Sequence, residues 1–148
     1  MIGCSNIVDE DSLIEKDTLK YSKNSSSPFT GDVVGKYASG EDRLRGNYKD
    51  GKKEGDWVFL HKNGKNNEKG LYRNGKKNGE WNKWYENGIL ASNGEYEDGM
   101  KEGLWKFWYN DGSKEKEINF LNDKENGQMK VWYSNGKQKN NISYSIGI

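Results

Sequence analysis

GLYRNGKKNGEWNKWYENGILASN, residues 70–93, decides the fold, because the chain spells it repeatedly. One interval upstream stands GNYKDGKKEGDWVFLHKNGKNNEK (46–69), and one downstream stands GEYEDGMKEGLWKFWYNDGSKEKE (94–117). INFLNDKENGQMKVWYSNGKQKNN (118–141) is a drifted copy. Residues 28–45 match the back half of a unit and 142–148 the front of another. Gly31, Gly55, Gly79, Gly103 and Gly127 are 24 residues apart, as are Gly40, Gly64, Gly88, Gly112 and Gly136, and Tyr48, Tyr72, Tyr96, Phe120 and Tyr144. A period of this length marks an array, in which each unit buries its apolar side against its neighbours.

Each unit holds two turn signals. Asn63-Gly64, Asn87-Gly88, Asp111-Gly112 and Asn135-Gly136 form one series. They read as two-residue type I′ hairpin loops, which need positive φ at both central positions. Asp50-Gly51, Asn74-Gly75 and Asp98-Gly99 form the other. Between turns lie strand-length segments rich in Trp, Tyr, Phe and Val. The fold class expected is all-β: 24-residue antiparallel β-hairpin repeats in an elongated, twisted meander sheet. A two-residue loop at Asn63-Gly64 sets Trp57 opposite Gly70 and Gly55 opposite Tyr72, and in the next unit Trp81 opposite Gly94. Strand glycines thus meet aromatic rings, which cover the bare backbone. In the drifted unit Ile118 replaces the glycine and Met129 the tryptophan, so the two changes read as compensation. Alternation places Trp57, Phe59, His61, Trp81, Tyr85, Trp105, Phe107, Tyr109, Val131 and Tyr133 on one buried face. Leu60, Trp84, Trp108 and Trp132 fall on the other.

Composition agrees with a thin structure. Hydrophobic residues make up 31% of 148 and mean hydropathy is −1.19, while aromatics reach 13%. The net charge of +1 gives no general attraction to nucleic acid. Residues 1–27 hold five acids and three lysines and read as a polar leader or tether, partly disordered, before a repeat domain at 28–148 with four full repeats at 46–141. Cys4 is the only cysteine, which excludes an intrachain disulfide and a cysteine metal cluster.

The pattern Gly-x-Tyr-x-(Asp/Asn)-Gly-Lys-Lys-x-Gly-x-Trp, closed by Trp-Tyr-x-(Asn/Asp)-Gly, resembles the MORN (membrane occupation and recognition nexus) repeat. It is most similar to the bacterial variant in YwqK-type antitoxin-component proteins. The resemblance covers roughly residues 12–148. It implies a twisted sheet of stacked hairpins and says little about activity.

Candidate functional residues follow from departures and rows. Met1-Ile2-Gly3-Cys4 resembles the end of a bacterial lipobox, which would make Cys4 a lipidation site if the true start lies upstream; the alternative is a chance cysteine near a terminus. The Leu60, Trp84, Trp108, Trp132 row is either a partner-binding stripe or a stripe that the sheet or the leader covers. Lys52, Lys53, Lys76, Lys77, Lys101 and Lys124 line one edge and suit either anionic headgroups or plain solvation, since neighbouring acids nearly cancel them. His61 stands where other units have tyrosine and reads as core. No catalytic pair breaks the repeat's symmetry, so no enzyme, no cofactor and no metal are expected. The expected function is a non-enzymatic scaffold that binds a protein or other macromolecule, displayed as an envelope lipoprotein. A cytoplasmic antitoxin or immunity-type protein is the alternative, and peripheral binding to anionic membranes a further one. No nucleic-acid partner is expected. Self-association through the last strand is a further option.

Overall fold

The structure, a computed structural model, describes residues 7–144, with the backbone alone at 140–142 and 144. It holds β1 (Val8–Asp9), a 3-10 turn (Glu10–Ser12), β2 (Ile14–Lys16), β3 (Leu19–Tyr21), β4 (Gly31–Lys36), β5 (Asp42–Lys49), β6 (Lys52–Leu60), β7 (Asn66–Arg73), β8 (Lys76–Trp84), β9 (Leu90–Glu97), β10 (Met100–Trp108), β11 (Lys114–Leu121), β12 (Lys124–Trp132) and β13 (Gln138–Tyr144). From β4 to β13 the strands pair in chain order as an antiparallel meander. β1 adds a parallel strand beside β4, giving an open eleven-stranded sheet that does not close into a barrel.

The register expected from the glycines is present: Gly55 pairs with Tyr72, Trp57 with Gly70, Trp81 with Gly94 and Trp105 with Ile118. The turns that produce it are exchanged. Two-residue loops with positive φ at both positions occur at Asp50-Gly51, Asn74-Gly75 and Asp98-Gly99, where φ is 49° and 77°, 50° and 82°, and 49° and 90°. Lys49 pairs with Lys52 across the first and Arg73 with Lys76 across the second. At Asn63-Gly64 only the glycine has positive φ, at 79°. There the Gly64 amide donates to the His61 carbonyl at 2.9 Å, and the His61 amide to the Lys65 carbonyl at 2.8 Å. This three-residue loop displaces the pairing by one residue. A one-residue bulge between the Phe59–Glu68 and Leu60–Asn66 pairs displaces it back, so Phe59 and everything before it keep the register of a two-residue loop.

The two glycine series answer different demands. Gly46, Gly70 and Gly94 lie directly under the indoles of Trp57, Trp81 and Trp105; a Cβ there would stand 2.2–2.3 Å from a ring carbon. The ring therefore covers the glycine on the strand that precedes its own. Each indole nitrogen then donates at 3.1 Å to the carbonyl one residue beyond that glycine, at Asn47, Leu71 and Glu95. By this geometry Ile118 answers to Met129, which stands where the next indole belongs. Gly55, Gly79, Gly103 and Gly127 have open space around them but φ of 71°, 66°, 65° and 80°. They sit in a second kind of bulge, where residues 55–57 oppose Gly46 alone, and only glycine adopts that backbone without strain.

Consecutive hairpins are tied at both rims. Tyr37, Tyr85 and Tyr109 donate their hydroxyls to the carbonyls of Leu60, Trp108 and Trp132 at 2.6, 2.8 and 2.9 Å. His61 takes the tyrosine's place in this row, its Nε2 lying 2.9 Å from the Trp84 carbonyl. On the opposite rim the Gly75 and Gly99 amides donate to the Lys53 and Lys77 carbonyls, both at 2.9 Å. Glu54 and Glu102 accept from the Asn74 and Asn122 amides. Two of the acids beside the lysine edge thus also serve as backbone acceptors.

Residues 7–27, expected as a partly disordered tether, form β1, the 3-10 turn and the β2–β3 hairpin. Leu13 is buried with Val33, Leu44, Tyr48 and Trp57, so this segment covers one end of the sheet. Residues 1–6, and with them Cys4, lie outside the described residues.

Candidate binding face

Register and alternation put Tyr48, Trp57, Phe59, Tyr72, Trp81, Tyr96, Trp105, Phe107 and Phe120 on one face. Their rings form a continuous chain. Tyr48 to Trp57, Trp57 to Tyr72, Tyr72 to Trp81, Trp81 to Tyr96, Tyr96 to Trp105 and Trp105 to Phe120 all meet edge to face, with centroids 5.1–6.2 Å apart. This arrangement lets each positive ring edge meet a negative ring face. Trp57, Trp81 and Trp105 are 0%, 2% and 4% exposed, although the sheet is a single layer. Their cover comes from the neighbouring tyrosines and from lysines.

Those lysines are Lys53, Lys77 and Lys101. Their ammonium groups stand 4.6, 3.9 and 4.7 Å from the centroids of Trp57, Trp81 and Trp105, and Lys53 and Lys101 also lie 5.0 Å from Tyr72 and Phe120. The edge row expected from the sequence therefore splits in two. Lys53, Lys77 and Lys101 fold over the rings, where a cation meets the negative ring face. Lys52, Lys76 and Lys124 remain exposed at the rim, and the Lys52 ammonium donates to the Asn74 amide oxygen at 3.0 Å. The sequence signal was present: each ring-bound lysine precedes its tryptophan by four residues, across a bulge that keeps both on one face.

Burial sets the protonation behaviour of this layer. It pushes the Tyr72 hydroxyl up to about 12, with help from the Glu68 charge, and raises Tyr48 and Tyr96 in the same way. Burial holds Lys53 and Lys101 below a lysine's ordinary value. Lys77 is tied instead to the Glu68 carboxylate.

The opposite face is largely polar, with Asn47 donating to Asp32 and Asn93 to both Glu80 and Asn82. Leu60, Trp84, Trp108 and Trp132 lie toward this side, at the strand ends beside the three-residue loops. Leu60 is buried and the three tryptophans are half-buried. Leu60 is closed to a partner, whereas the three tryptophans keep part of their surface in water, and the N-terminal segment packs on the ring face instead.

One place on the ring face departs from the repeat. Position 44 and its equivalents read Leu44, Glu68, Ser92 and Lys116; the bulge position before it reads Arg43, Asn67, Ala91 and Glu115. Only at Ala91 and Ser92 are both side chains small. A hollow of about 350 Å³ opens there, floored by Ala91 and Ser92 and walled by Trp81, Tyr96, Trp105 and Phe107, with Lys101 at its side. In the sequence the hollow shows only as a break in two adjacent repeat columns.

No three His, Cys, Asp or Glu residues are grouped to hold a metal ion among the described residues. No helix there is long and apolar enough to cross a membrane. No protein-family model matches this chain, and no curated protein matches it either.

Proposed function

We propose that this chain is a non-enzymatic repeat scaffold that holds a protein or other macromolecule against the ring-bearing face of its sheet. The observation that carries the reading is the layer of half-buried rings over β7–β11, with lysines between them, continuing where the N-terminal segment no longer lies above. Tyr72, Tyr96, Phe107 and Phe120 keep part of their surface in water. They are held by their neighbours on a hydrogen-bonded sheet. Such rings lose little conformational entropy when a partner covers them, and Tyr and Trp are favoured contact residues for that reason.

The likeness to MORN repeats of the YwqK type belongs to this proposal, as an array whose regular surface does the binding. Display on an envelope through Cys4 and neutralisation of a toxin in the cytoplasm both use the same face and differ in location. Attachment to anionic phospholipid draws the least support, because half of the lysines expected at the rim rest on rings instead.

In-cell cross-linking with the intact chain as bait, followed by mass spectrometry, tests the reading. A partner cross-linked to β8–β11 by the native chain and lost from Tyr96→Ser/Phe107→Ser is the expected result. Equal recovery by that variant places the contact elsewhere. Absence of any saturable partner removes the scaffold reading.

A further inference from the structure

Resting on the scaffold reading, we infer that the hollow between β8, β9 and β10 is a docking site for an extended acidic segment of a partner protein, which inserts a leucine-sized aliphatic side chain beside a carboxylate.

The chain carries its own example of such an occupant. Over the first unit, the segment through Glu10 and Leu13 lies on the ring face. Leu13, 7% exposed, is buried against Leu44, Tyr48 and Trp57, and the Tyr48 hydroxyl donates to Glu10 Oε1 at 3.2 Å. The charge of Glu10 also acts on Lys53. One aliphatic side chain on the rings and one carboxylate toward a tyrosine hydroxyl and a ring-bound lysine is therefore a pairing this face accepts.

Forty-eight residues on, the third unit offers the rings, the hydroxyl and the lysine without the occupant, while Arg43, which pairs with Glu10 and Asp11 at 3.5 and 2.8 Å, gives way to Ala91. Tyr96, Trp105, Lys101 and Phe107 repeat Tyr48, Trp57, Lys53 and Phe59. The Tyr96 hydroxyl and the Lys101 ammonium make no hydrogen bond or ion pair to the described residues. Where the first unit has Leu44 as part of the apolar floor, Ser92 leaves room, and Ala91 widens it. The second unit lacks that room, since Glu68 occupies the column and holds Lys77.

Charge selects the same occupant. Lys83, Lys101 and Lys116 stand around the hollow without ion pairs among the described residues, whereas Glu68 is already engaged by Lys77. Of the nearby acids, Glu115 lines the hollow, and Asp123 and Glu125 act on Lys101 from the rim. A cationic segment would meet three like charges, while an acidic one gives Lys101 a carboxylate in a half-buried setting, where such a pair is screened less by water.

The test is a titration of the intact chain, followed by NMR, with a labelled decapeptide of sequence IVDEDSLIEK, the chain's own residues 7–16. In the intact chain that segment already fills the first unit, so free peptide reads the open site. Saturable shifts at Ala91, Ser92 and the Trp105 indole are expected. Because the attached segment benefits from an effective concentration that the free peptide lacks, saturation is expected only toward about millimolar peptide. Ser92→Glu, which copies position 68, where the carboxylate fills the column and holds the ring-bound lysine, is expected to weaken binding at least about tenfold. Lys101→Met, which leaves the floor untouched, and a peptide with alanine in place of its leucine are expected to do the same. A peptide with lysines in place of its acids is expected not to bind. No saturable shift with the native chain, or affinity in Ser92→Glu and Lys101→Met equal to that of the native chain, overturns the inference. A cellular partner cross-linked equally by the native chain and Ser92→Glu also overturns it, while the scaffold reading stands.

Discussion

At Gly70 an added Cβ would stand 2.3 Å from the Trp81 ring, while at Gly79 it would meet no atom within 4 Å. The two glycines therefore fail differently when replaced. Gly79→Ala is expected to destabilise by about 1 kcal/mol, the cost of a side chain in the left-handed region, read as a lowered urea midpoint with an unchanged slope. Gly70→Ile is expected to cost several times more, because a buried ring must move. Trp81→Met, which removes the ring, is expected to cost about 3–5 kcal/mol by itself. The double variant copies the chain's own solution at Ile118 and Met129. Its loss is expected to fall short of the two single losses added together by about 1–3 kcal/mol. Strict additivity in that cycle would mean the indole does not occupy the space above the glycine.

Among the elements, the hairpin pairs show how one register arises from two unlike turns. Both central residues carry positive φ at Asn74-Gly75 and only the glycine does at Asn63-Gly64, yet Trp57 faces Gly70 as though both loops had two residues. The extra loop residue and the extra strand residue cancel. The tyrosine row that ties successive hairpins is expected to be tolerant of which donor it uses. His61→Tyr is expected to leave stability within about 0.5 kcal/mol of the native chain, and His61→Phe to lower it by about 1 kcal/mol for the lost bond to the Trp84 carbonyl. Chemical denaturation of the two variants side by side checks this; equal losses would show that ring volume and not the hydrogen bond matters there.

Over the whole molecule, stability is spread along an array whose units answer mainly to their neighbours. The N-terminal segment closes one end. Leu13→Ala is expected to destabilise by about 2–5 kcal/mol, and hydrogen exchange is expected to quicken in β4–β5 while β9–β10 stay protected. Uniform loss of protection would mean that the sheet unfolds as one unit. The ring layer also sets an alkaline limit. Tyr72 loses its proton near pH 12 in the folded chain and near pH 10 when unfolded. Between those values the folded state holds protons that the unfolded state has released. The stabilisation is thus fully present below about pH 10 and is lost as pH rises through the window. Tyr48 and Tyr96 act with the same sign. Lys53 and Lys101 act oppositely and at lower pH, since their depressed values penalise the folded state until they deprotonate. The melting temperature is expected to fall steeply from pH 10 to 12, and Tyr72→Phe to flatten that fall.

The sequence alone determined the array, the strand order, the hairpin register and the pairing of glycines with rings. Each of these follows from contacts between segments a few residues apart along the chain, repeated at one interval, so periodicity carries them. Only the tertiary structure decided which turn is the tight one, which glycine each indole covers, that three lysines lie on rings, and that residues 7–21 cap the sheet. It also decided that Trp84, Trp108 and Trp132 are half-buried and that Ala91 and Ser92 floor a hollow. Those outcomes depend on bulges that shift a strand by one or two residues, and on what a neighbouring strand or a distant segment lays over the same surface. A side-chain pattern with period two does not count bulges, and it does not see across the sheet.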